Sequence, residues 1–174
     1  MTDKPRDRIG RWTETHRPAT DKPLEPAAPT VQKRGPLGGT YTLTPGVLDD
    51  EAIDWYDSHD RLALAAAVAR EHGTKVVVQT VDRGSGDGAE VVTGVWAMRR
   101  DGLLFDTEHA PVDRRPVGLG VHRHVLDPDD AIATFDPTGS QDYALAETFA
   151  KPLIEASYAR DPEGYDRFDY TPGP

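Results

Sequence analysis

Hydrophobic positions along the chain fall into three zones, and each zone predicts different structure. Residues 1–40 carry almost no aliphatic run. Pro5, Pro18, Pro23, Pro26, Pro29 and Pro36 interrupt any helical period there, which predicts a disordered, proline-rich arm. Residues 62–106 are dense in Val, Leu and Ala. Here Leu62, Ala65, Ala66, Val68 and Ala69 recur at helical spacing, with Leu64 and Ala67 on the other faces. That pattern predicts a largely buried helix over 59–72, closed by Gly73. Lys75–Val81 and Val91–Met98 read as strands joined by a glycine-rich loop, and Asp101-Gly102 turns into a third strand, Leu103-Leu104-Phe105.

The flanking zones are shorter in signal. Tyr41–Leu43 reads as an entry strand, and Asp49 or Asp50 caps a helix running to Asp57. Ser58 or Asp57 then caps the alanine-rich helix. Val121–Val125 predicts another strand, Asp130–Phe135 a short helix, and Ser140 the cap of a last helix that Pro152 should kink or end. The expected fold class is α+β: a short antiparallel sheet packed on a central Ala-rich helix, with a C-terminal helix and a disordered N-terminal arm. The expected organisation is an arm over 1–40, one domain over 41–158 and a polar tail over 159–174.

Charge and composition then narrow the function classes. The net charge of −10 conceals an imbalance: residues 1–40 sum to +3 and the remainder to −13. An acidic body repels phosphate, so the folded part is not expected to bind nucleic acid. A partner with a basic surface fits it better. The chain has no cysteine, which excludes disulfides, thiolate zinc sites and thiol catalysis. No apolar run reaches the roughly 18 residues of a membrane span, and the N-terminus lacks a secretory apolar centre, so a cytoplasmic location is expected. Arg outnumbers Lys by 15 to 5, a bias that resembles high-GC bacteria, their phages and mobile elements.

Four constellations carry candidate chemistry. Asp50, Asp54 and Asp57, at i, i+4 and i+7, are expected on one helix face, with Asp49, Glu51 and Asp60 adding to the field. No Lys or Arg lies between Asp49 and Asp60, so this face suits a basic protein surface. Trp12, among Arg8, Ile9 and Arg11, is a candidate docking motif within the arm. His122 and His124 lie on one side of a strand, and with a carboxylate nearby they form a weak candidate for iron or zinc. Ser58-His59-Asp60 has the residue types of a hydrolytic triad, but three adjacent residues point in different directions.

The stretch 57–106 resembles small bacterial papain-like or transglutaminase-like proteins. The resemblance rests on the helix Leu62–Ala69 ending at Gly73, on the Asp101-Gly102 turn and on the closing Leu104-Phe105-Asp106. In such proteins a cysteine opens the helix, a histidine opens the strand before the turn, and the closing aspartate orients the histidine. Here the cysteine slot falls near Arg61, or at most His59, and the histidine slot near Gly94. Only Asp106 matches the triad pattern. The resemblance therefore implies a degenerate, non-catalytic hydrolase-like core with no cofactor. The expected function is a protein-binding module acting through its acidic surface. A metal-dependent enzyme using His122 and His124, or an acidic inhibitor or immunity protein, are the alternatives.

Overall fold

The computed structural model describes residues 27–82, 90–105 and 120–160. Their mixed α+β order agrees with the sequence-based expectation. Two strands, β1 (Val31–Arg34) and β2 (Thr40–Leu43), form an antiparallel hairpin. Then come helix α1 (Asp50–Trp55), a π-helical turn (Tyr56–Asp60) and helix α2 (Arg61–His72). Strands β3 (Val76–Asp82), β4 (Glu90–Ala97) and β5 (Val121–Leu126) make one antiparallel sheet in the order β4-β3-β5. Helices α3 (Pro128–Phe135) and α4 (Tyr143–Arg160) complete the set.

The core forms around α2. Its residues Leu62 to Ala69 are all buried, because the helix packs against the sheet on one side and against α3 and α4 on others. Small alanines let those neighbours come close. Central strand β3 is buried from Val76 through Thr80. Val76 and Val78, with Ala97 and Leu126, join the main core beside α2. Val77, Trp96 and Leu104 form a smaller second cluster. The α2 C-terminus closes as a Schellman motif: Gly73 is left-handed at φ 67°, and the Thr74 N–H donates to Ala69 O at 2.8 Å.

Several expectations are corrected. The helix does not restart at Ser58. α1 and α2 run on through the π turn, and the Ser58 hydroxyl donates back to Asp54 O at 2.6 Å instead of capping. Asp49 does cap α1, accepting the Ala52 N–H at 2.9 Å. α4 is capped by Asp142, which accepts the Leu145 N–H at 3.0 Å, and not by Ser140. Pro152 lies inside α4 without ending it. Residues 103–105 pair with the end of β4 through a single bridge, Met98↔Leu104, rather than a full strand. β1 falls inside the segment read as an arm, because its partner β2 supplies the backbone hydrogen bonds that isolated propensity does not. Trp12 and Asp106 lie outside the described residues. Among the described residues no helix is long and apolar enough to cross a membrane.

Candidate functional site

A cleft of about 330 Å³ opens where the π turn meets β4. Asp57, Ser58, His59, Arg61 and Leu62 line one side, and Val92 to Val95 line the other. Phe135 and Gln141 complete it from α3 and the loop before α4. A neighbouring cavity of about 30 Å³ shares Asp57, Arg61 and Val95 with it and is bounded further by Tyr56, Trp96 and Phe105. Arg61 and Gly94, 33 positions apart in the chain, thus reach the same cleft.

The π turn sets this geometry. Its extra residue per turn changes the register of everything before α2. Asp50, Glu51, Asp54, Ser58 and Arg61 emerge as the exposed stripe. Asp57 is half-buried on the cleft wall, so of the three aspartates only Asp50 and Asp54 are exposed. Asp60 also leaves the acidic field: it is 7% exposed and accepts the Asp142 N–H at 2.9 Å. Burial raises the Asp60 carboxyl above its usual range, partly offset by that N–H and by Lys33. Lys33 pairs with Asp142 and lies over the Trp55 ring, which ties the hairpin to the start of α4. Glu51 accepts the Thr42 N–H at 3.4 Å. The outward acidic surface of α1 is therefore Asp50 and Asp54, with Glu51 turned to the hairpin.

No nucleophile–base pair forms at the cleft among the described residues. The His59 ring stacks on Trp55 at 4° and donates from Nδ1 to Trp55 O at 2.9 Å. Its Nε2 is buried without a hydrogen-bond partner. Ser58 is turned to its own helix backbone. Arg61 donates from Nε to Asp57 O. At Gly94, an added Cβ would lie 2.0 Å from the Trp96 ring. The position that the resemblance assigns to a histidine is thus filled by a neighbouring indole.

His122 and His124 do lie on one face of β5, opposite Thr80 and Val78. His124 Nε2 is 3.2 Å from both Glu90 Oε2 and Thr80 Oγ1, and the Thr80 hydroxyl donates to Glu90 at 2.7 Å. That hydroxyl, and then His124, holds the Glu90 carboxyl below its usual range. Among the described residues no three His, Asp or Glu side chains come together as a metal set.

Gln141 and Phe135 carried no signal in the sequence. Gln141 Oε1 accepts the Ala63 N–H at 2.8 Å from 78 residues away. The loop that carries Gln141 is shaped by Asp136, a buried carboxylate. It accepts from Ser140 N at 3.0 Å, Ser140 Oγ at 2.8 Å, Gln141 N at 3.2 Å and Tyr143 Oη at 2.8 Å. Burial alone would raise the Asp136 carboxyl, but these donors, Ser140 foremost, outweigh it and bring it to about 2. An Asp immediately after Phe135, the last apolar residue of α3, was the one available hint, and it reads equally as an ordinary turn residue. No family model matches the chain, and neither a curated protein nor a solved structure matches it.

Proposed function

We propose that this protein is a non-catalytic, protein-binding module built on a degenerate hydrolase-like core, and that it contacts a basic protein surface through α1. The observation that carries this reading is the convergence of Arg61 and Gly94 on one cleft. The two positions that would hold a nucleophile and its base in a papain-like or transglutaminase-like protein both line that cleft. One is a guanidinium held on a backbone carbonyl, and the other is a glycine overlain by Trp96. Neither residue supplies a nucleophile or an imidazole base. Such a pair favours binding over turnover.

Asp50 and Asp54 supply the contact surface: both are exposed, one turn apart, on an element with no basic side chain. Charges of this kind act on association rate and on partner choice, and salt weakens them. The test is calorimetric titration of a lysine-rich peptide into wild type, Asp50→Asn/Asp54→Asn and Asp57→Asn. The first variant should bind several-fold more weakly, with a shallower salt dependence, and Asp57→Asn should match wild type. Equal affinity for all three proteins removes α1 as the contact.

A further inference from the structure

Arg61 differs from several of the other described cations. Lys33, Arg70, Lys75 and Arg99 each reach a carboxylate. Arg61 makes no ion pair with a described residue, in a chain holding 30 acids against 20 bases. It is also the one guanidinium among the described residues of the cleft lining. Its Nε is committed to Asp57 O, which pins the head group and leaves the terminal amino groups as donors. Gln141 contributes a second donor. Its Oε1 is taken up by the Ala63 N–H, so its Nε2 is the half of the amide left for a ligand. Leu62, Val92, Val95 and Phe135 supply apolar wall, and Val92 is 43% exposed. Asp57, the single carboxylate among the described residues of the lining, already has an interaction partner.

These features match the general form of a small-molecule site. The volume of about 330 Å³ falls within the range of ligand pockets. The walls are apolar, and a few fixed polar groups set orientation. A planar guanidinium with its Nε occupied and its Nη groups open presents donors suited to a carboxylate. We propose that the cleft binds a small organic carboxylate. Its apolar body lies against Leu62, Val92 and Phe135, and its two oxygens accept from Arg61 and Gln141. This goes beyond the protein-binding reading and stands or falls without it, since Asp50 and Asp54 take no part.

The carboxylate has two possible sources, a free organic acid or the C-terminal end of a peptide chain, and two probes separate them. Amide-detected NMR titration of the full chain would use 3-phenylpropionate for the free acid and N-acetylphenylalanine for the chain end. Each is paired with its primary amide as the uncharged control. The preferred probe should shift the amides of Leu62, Val95 and Gln141 at millimolar concentration, a scale that corresponds to roughly −4 kcal/mol. Its amide should bind about tenfold more weakly, the effect of losing one charge-assisted hydrogen bond. Arg61→Gln should lose the same factor, and Arg61→Lys should fall between, keeping the charge without the fork. Arg61 is exposed, so these variants leave the core intact. Asp54→Asn should bind the acid as wild type does, whatever its effect on a protein partner. The proposal is overturned by any one of three results: no shift at ~20 mM of either acid, equal binding of acid and amide, or undiminished binding to Arg61→Gln.

Discussion

The Trp96 indole lies across Gly94 so closely that a methyl group built on Gly94 would sit 2.0 Å from the ring. Trp96 is only 6% exposed and belongs to the buried cluster with Val77 and Leu104, so it has little freedom to move aside. The glycine therefore records space already taken. Gly94→Ala is expected to destabilise the protein by about 1–3 kcal/mol, the usual range for overpacking. Chemical denaturation followed by tryptophan fluorescence measures it. In a Trp96→Leu background the same substitution should cost clearly less, because the two sites share one contact. An equal cost in both backgrounds would show that the ring is not what excludes the side chain. Gly94→His should then fail to restore a working base, since it meets the same obstruction.

Asp136 organises the loop that brings Gln141 to the cleft. Its folded value of about 2 lies below the ordinary 3.8, so the folded state binds this proton less readily than the unfolded chain. The stabilisation is complete above 3.8 and is lost as pH falls from there towards 2. Asp136→Ala leaves two backbone N–H groups and three hydroxyls without their acceptor, and is expected to cost on the order of 3 kcal/mol at neutral pH. Thermal melts between neutral pH and pH ~2 should show a shallower acid limb for the variant. Parallel acid limbs would contradict the assignment.

Asp60 has the opposite sign. Burial places its folded pKa above 3.8, so folding favours its protonated form. Its contribution is most favourable below 3.8 and declines as pH rises through the raised value. Asp60→Asn keeps an oxygen for the Asp142 N–H and removes the buried charge. Its stability relative to wild type should therefore improve from acid to neutral pH, read from melting temperatures at both. Asp60→Ala removes the acceptor as well and should lose about 1–3 kcal/mol. If Asp60→Asn shows no pH-dependent gain, burial does not raise the Asp60 carboxyl above its usual range.

The chain's local patterns were sufficient for its elements. Eight consecutive buried positions in α2 are visible as an unbroken Leu/Ala/Val run, and Gly73 marks its end because left-handed backbone favours glycine. The valines of β3 announce a central strand. The site was less legible. Counting along the chain put Arg61 and Gly94 in the two slots of interest, and both positions line one cleft. Phe135 and Gln141 were invisible, because each is placed by contacts with residues far away in sequence. Asp57 and Asp60 were misplaced, because ideal helical spacing was extended through residues that form a π turn.

What the sequence determined by itself is the order and type of the main elements, since these depend on periodicity, capping and backbone preference within a few residues. The absence of cysteine chemistry is likewise a matter of composition. Tertiary structure alone decided which carboxylates face water, which glycine lies under an indole and which guanidinium makes no ion pair with a described residue. Those outcomes are set by what packs against each side chain from elsewhere in the chain. Where the backbone takes a π turn, Asp57 becomes half-buried on a cleft wall and Asp60 is buried, and no local preference records that outcome.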